Sequence, residues 1–295
     1  MKEYYAIPGL FEKFKIIQNL VNLLNNEPFI FRDNVVIDSV YGSNGTKLSG
    51  GRYMAGKAFD NDVEISSFFK NSGITPALVL TNLLATKEDI PDALAKRLLE
   101  SFDGAHTSFV VANPLIECWL ENEYNIGRKQ FILSTMVGAS YEQTISACER
   151  YGKIVLNEKF TNNFSLINTF PNAVKSKLEI LVNSYCPDNC PQRQAHYKNI
   201  SLIILSDCKR GVEYWECNNK ERVDFLCDAM NKKQFVTLDK ISAYLNMGIN
   251  HFKIQGRTNN DSELIETLSY YLVKPEYQLA FRTRLRNGLP VSNNN

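Results

Sequence analysis

Apolar residues recur at helical intervals from Phe11 through Phe14, Ile17, Leu20 and Val21 to Leu24, the spacing of one buried helix face. Pro8 and Gly9 punctuate the start and Pro28 the end, so residues 11–24 are expected to form a packing helix ahead of the main fold. Beyond it the pattern changes. Short apolar runs at 35–40, 77–81, 108–112, 131–134, 154–156, 178–182, 235–237 and 252–254 are separated by stretches of helical period at 62–70, 87–102, 115–123, 141–151, 164–170, 238–247 and 261–272. Eight strand-like runs separated by helices predict an α/β chain folded as a (β/α)8 TIM-type barrel, regular or distorted. An open doubly wound sheet is the competing arrangement.

Residues 184–233 are too many for an ordinary strand-to-helix connection. They read as an insertion after the sixth strand, with a small hairpin from 200–205 and 212–215. The expected division is then a packing helix in 1–33, a barrel in 34–275 that carries the insertion, and a tail in 276–295.

Composition narrows the class. Of the 295 residues 44% are apolar and the net charge is +1, which suits a globular chain and argues against a strongly basic nucleic-acid surface, though not against a local groove. No apolar run reaches the roughly 18 residues of a membrane span. The first ten residues lack the basic start and apolar core of a secretory signal, so a cytoplasmic protein is expected. There the seven cysteines are expected as thiols or ligands rather than disulfides, with Cys118 and Cys148 as small buried apolar residues on helices.

Chemistry in such a barrel sits at the C-terminal ends of the strands. Asn82, Asn113, Asn157 and Asn183 each follow a strand. Asparagine there is a helix cap or turn residue, but four in equivalent places point to a shared polar pocket. The first run leads into a loop with Gly42, Gly45, Gly50, Gly51 and Arg52. Its spacing is not that of a phosphate-cradling loop, yet Arg52 could pair with an anion. In the last run, alternation puts His251, Lys253 and Gln255 on one face. A lysine inside a barrel needs a partner. Lys253 and Arg257 either hold a carboxylate or phosphate, or Lys253 closes a structural ion pair.

The densest chemistry lies at 183–197, where Cys186 and Cys190, each followed by proline, precede Arg193 and His196. Thiolates favour zinc, copper(I) or an iron–sulfur cluster. Cys208, Cys217 and Cys227 are the reserve for a four-ligand site, and His196 is the alternative nitrogen ligand of a zinc site. A redox disulfide, a nucleophilic cysteine and unligated thiols stand beside these readings.

The C-x-x-x-C-P-x-R-x-x-H-Y stretch from Cys186, the F-K-I-x-G-R stretch from Phe252, and the Tyr41 loop with Gly50, Gly51 and Arg52 resemble the collagenase-like peptidase family U-32, in a divergent short form, over about residues 34–272. The resemblance implies a barrel with cysteines near its mouth. Several members carry a four-iron iron–sulfur (4Fe–4S) cluster and serve oxygen-independent hydroxylation of ubiquinone precursors or RNA bases, some working in pairs. By motif, Cys186 and Cys190 match cluster cysteines, and Lys253, Gly256 and Arg257 the late strand motif. Gln255 stands where many members have glutamate, and the cysteine spacing differs.

The leading expectation is therefore an iron–sulfur barrel enzyme acting on a small molecule or RNA. Four ligands would come from Cys186, Cys190, Cys208, Cys217 and Cys227. Arg52, Arg193, Lys253 and Arg257 would bind an anionic substrate, and Asn82, Asn113 and Asn157 would orient it. A peptidase is the runner-up, although H-E-x-x-H and G-x-S-x-G are absent. A non-catalytic scaffold or partner subunit clamped by a metal is the third reading.

Overall fold

The computed structural model describes residues 1–51, 59–206 and 222–287. Eight parallel strands close into a barrel in chain order. They are β1 (Glu3–Pro8), β2 (Val35–Gly42), β3 (Thr75–Leu80), β4 (Ser108–Val111), β5 (Phe131–Leu133), β6 (Lys153–Val155), β7 (Leu178–Leu181) and β8 (His251–Lys253). The helices between and after them are α1 (Phe14–Asn26), α2 (Asp62–Ser72), α3 (Ala93–Ser101), α4 (Pro114–Tyr124), α5 (Tyr141–Ala147), α6 (Phe164–Asn168), α7 (Asn172–Lys175), α8 (Arg193–Leu205), α9 (Leu226–Ala229), α10 (Leu238–Asn246), α11 (Asp261–Leu272) and α12 (Gln278–Arg286). No helix among the described residues is long and apolar enough to cross a membrane.

The barrel is the fold expected, and the count of eight holds, but two members differ. Glu3–Pro8 is a strand: it pairs with β2 on one side and β8 on the other and so closes the barrel. The barrel therefore starts at Glu3 rather than at residue 34. Residues 235–237 are not a strand. Phe235 and Val236 are fully buried, which made them look like one, but Val236 shares only a single backbone bond with the end of β7, to the Val182 carbonyl at 2.9 Å. The chain then enters α10, capped by the Thr237 hydroxyl.

The other boundaries also shift. Residues 200–205 lie in α8, not in a hairpin, and 212–215 fall outside the described residues. The tail contains α12, which packs on α1 and α11 and buries Phe281 and Leu285.

Two apolar layers hold the barrel. The outer one lies between strands and helices and includes Tyr5, Ile7, Phe109, Phe131, Ile180 and Phe252; each such side chain contributes roughly 1.5–3 kcal/mol by leaving water. The inner one fills the lumen with Ala6, Tyr41, Ala77, Val79, Val110, Ile132 and Val155. All seven come from β1 to β6. On the β7–β8 side the lumen is charged, with Glu179 and Lys253 facing in.

Register explains one detail of the lumen. β1 pairs Tyr5 with Ile37 and then Ala6 with Ser39, which skips Asp38. Asp38 is thus a bulge residue. Ile37 and Val40 face the helices and Tyr41 faces the lumen. The Asp38 carboxylate, one place out of phase, forms an ion pair with Lys153 of β6.

Candidate active site at the barrel mouth

Lys253 ends β8 and points into the lumen. Its Nζ lies 3.1 Å from Glu179 Oε2 of β7 and 4.1 Å from the centre of the Tyr41 ring. The Tyr41 hydroxyl in turn donates to the Ile254 carbonyl at 2.7 Å, which fixes the ring beneath the amine. Burial lowers the pKa of Lys253, and the charges of Lys153 and Arg257 add to that, while Glu179 resists it. Burial alone would raise the pKa of Glu179, but Lys253 and Lys153 outweigh it and hold the carboxylate below the ordinary value.

Above this pair is a cavity of about 100 Å³ at the C-terminal ends of the strands, lined among others by Tyr41, Gly50, Thr81, Glu158, Lys253 and Arg257. Arg257 is buried. Its Nη2 donates to the Gly50 carbonyl at 3.0 Å, whereas its Nη1 is shielded from solvent and has no hydrogen-bond partner. Gly50 is where backbone meets backbone: a Cβ there would lie 2.5 Å from the Thr81 carbonyl oxygen. That close approach brings the Gly50 carbonyl to Arg257. A larger cleft, about 610 Å³, opens by Thr75, Pro76 and Ser108 at the starts of β3 and β4. That is the stability end of such a barrel, and we place the chemistry at the mouth.

The asparagines have other duties. Asn82 Nδ2 donates to the carbonyls of Lys47 and Ser201, and its Oδ1 accepts from Leu84 N. Asn113 caps α4 and donates to the Asn82 and Ala85 carbonyls. Asn157 accepts from Lys159 N and donates to the Ala139 carbonyl. Asn183 accepts from Gln255 N at 2.7 Å and donates to Gln255 O at 2.9 Å, extending the β7–β8 pairing past the last ladder residue. These carboxamides tie backbone segments together, and none of the four lines the mouth cavity.

Arg193 begins α8. Its Nη1 lies 2.9 Å from Glu158 Oε2, and its Nη2 donates to the Pro187 carbonyl at 3.2 Å. Ser184 donates to the same Glu158 oxygen at 2.5 Å. Behind this wall a cleft of about 20 Å³ is lined by Cys186, Cys190, Arg193, His196 and Tyr197 among others. Tyr197 lines the mouth cavity as well. Cys186 and Cys190 are free thiols and half-buried. Cys227 is exposed on α9 and does not line the cleft, and of the two cysteines expected to be buried on helices Cys118 is exposed and Cys148 half-buried. Arg52, Cys208 and Cys217 lie outside the described residues. Among the described residues no three histidine, cysteine or acidic side chains converge as a metal site.

Sequence reasoning missed Glu179, Glu158, Tyr41 and Tyr197. Glu179 had a signal: a lone acid inside the run L-E-I-L is the same anomaly that singled out Lys253.

No family model and no curated protein matches the chain. Among solved structures the chain is similar to one titled as the U32 peptidase Mk0906, with a TM-score of 0.51, 12% identity, and coverage of 87% of this chain and 93% of that one. The barrel is U32-like in fold. At that identity the likeness speaks for fold alone, and it agrees with the architecture that the Cys186 and Phe252 motifs led us to expect.

Proposed function

We propose that this chain is a barrel-mouth enzyme that binds a small anionic substrate over Lys253 and Arg257 and works beside a soft metal centre at Cys186 and Cys190, an iron–sulfur cluster used for oxygen-independent hydroxylation or related redox chemistry. One observation supports the pairing of these functions: Tyr197 lines both the mouth cavity and the thiol cleft, so one side chain borders the two.

The described residues supply part of the ligand set. Two thiols and the His196 imidazole border the cleft, and thiolates suit iron–sulfur or zinc centres. A cluster would take Cys208 and Cys217 as well. A zinc site would take His196 as its nitrogen ligand. When bound, a cluster supplies one-electron transfer.

The chain's own residues would do the rest. Arg257 presents Nη1 to an anionic group. Lys253 sets a positive potential at the floor of the cavity. Glu158 and Ser184 hold Arg193, and with it the first turn of α8, against the thiols. Tyr197 and Met136 narrow the mouth against water.

Anaerobic purification with iron, zinc and labile-sulfide analysis and a visible spectrum tests this reading. Brown protein with iron and sulfide, both lost in Cys190→Ser, is expected. Zinc without sulfide would move the assignment to the zinc alternative, and colourless, metal-free protein would remove the metal centre. The neighbour's title gives peptide hydrolysis as the runner-up; chelator-sensitive cleavage of a peptide library would favour it.

A further inference from the structure

Lys253 has the setting of a nucleophile as well as that of an anion anchor. Its amine borders a cavity reached from solvent. It rests over an aromatic face at 4.1 Å and has a carboxylate at 3.1 Å to exchange protons with. Lysines held in apolar surroundings beside other cations are those that add to carbonyl groups. Burial favours the neutral amine here.

The second half of the site is Arg257. A guanidinium that is buried, tethered through Nη2 to Gly50 O and left with an unpartnered Nη1 lacks an acceptor. A buried donor without a partner costs about 1–3 kcal/mol, and a ligand carboxylate would relieve that cost. The cavity's roughly 100 Å³ is far below the 300–1,000 Å³ of a drug-sized cleft, so only a small group reaches both residues.

We propose that Lys253 forms an imine with a small 2-oxo acid, whose carbonyl carbon meets Nζ and whose carboxylate meets Arg257. This rests on the mouth being the substrate site and does not depend on the metal centre. Glu179 takes one ammonium proton, and the free amine adds to the carbonyl carbon. The C–O bond then breaks as the C=N bond forms, and oxygen leaves as water carrying two of the original ammonium protons. The third stays on nitrogen, so the product is a protonated imine. Charge is the same at Nζ before and after the reaction, and Glu179, neutral while it holds the proton, faces a cation again once it has passed that proton to the departing water, which matters for a carboxylate buried to 1% exposure.

The test treats full-length protein with pyruvate and sodium cyanoborohydride, then maps adducts by tandem mass spectrometry. A carboxyethyl adduct on Lys253, at least tenfold above any other lysine, is expected. Acetone, which has the carbonyl without the carboxylate, should leave Lys253 at background. Arg257→Met should cut labelling at limiting pyruvate at least tenfold. Labelling spread evenly over surface lysines overturns the imine, and equal labelling by acetone overturns the 2-oxo acid assignment. Because the map is read on wild-type protein, a Lys253 variant that fails to fold cannot obscure it. Iron- and sulfide-bearing protein without an adduct would sink this inference and leave the metal reading; an adduct on metal-free protein would do the reverse.

Discussion

Lys253 Nζ and Glu179 Oε2 meet at 3.1 Å inside the barrel, on adjacent strands whose registers pair Leu181 with Lys253 and Glu179 with His251. The two side chains thus reach diagonally along the lumen rather than straight across. Removing one partner leaves the other charge buried and unmatched. Lys253→Met is expected to destabilise the protein by about 3–5 kcal/mol, and the double variant Lys253→Met/Glu179→Leu by clearly less. Urea unfolding of wild type, Lys253→Met, Glu179→Leu and the double variant gives the comparison. A double variant that costs the sum of the single changes would mean that the pair is not a unit.

The same pair predicts an acid limb. Glu179 titrates below the ordinary glutamate value in the folded state, so from about pH 4 downward the unfolded chain binds a proton that the folded chain still excludes. Stability contributed by this group is present above that range and is lost as pH falls through the folded pKa. The difference in unfolding free energy between wild type and Glu179→Gln should therefore shrink on acidification below about pH 4. A difference that stays constant down to the folded pKa would contradict the assignment.

Asn183 prolongs the β7–β8 pairing with a side chain in place of backbone. Asn183→Ala leaves the Gln255 N–H and carbonyl without these partners and should cost about 1–3 kcal/mol. It should also raise hydrogen exchange at Gln255, while the amide of Val182, bonded to Lys253 O at 3.0 Å, stays protected.

Two glycines separate crowding from backbone strain. Gly73 ends α2 at φ +69° with open space around the Cβ position, so Gly73→Ala should cost about 1–2 kcal/mol from the left-handed backbone alone. Gly50→Ala drives a methyl group into the Thr81 backbone and should cost about as much or more. It should in addition weaken anion binding at Arg257, which Gly73→Ala should leave intact. Inorganic phosphate or pyruvate titrated calorimetrically into both variants distinguishes them.

The barrel was legible because its strands are short apolar runs set between helices, and that alternation survives errors at single elements. One such error was hidden by another. Glu3–Pro8 opens with a glutamate and two tyrosines and lacks a preceding helix to frame it, while Phe235 and Val236 are as buried as any strand residue yet leave their neighbour after one hydrogen bond. Burial was readable at both places; pairing, which depends on a distant partner, was not. The site divided in the same manner. Lys253 and Arg257 were visible from alternation, and the thiols from spacing. The asparagines share a position at strand exits but not a target, because a carboxamide is equally able to bind ligand or backbone. Glu158 stands at the exit of β6, where the neighbouring Asn157 drew the attention instead, and Tyr197 joins the site only through the return of α8 over the mouth, which no local pattern announces.

The bulge at Asp38 has an effect beyond its own ion pair. It switches the inside–outside phase of β2, so everything after it in that strand faces the opposite way from what simple alternation would give. Deleting this one residue would let Ser39 follow Ile37 directly beside Ala6, straighten the ladder and keep Tyr41 in the lumen under the Lys253 amine, at the cost of the ion pair with Lys153. The extra residue in β2 therefore serves Lys153, and the lumen face of the strand would outlast its loss.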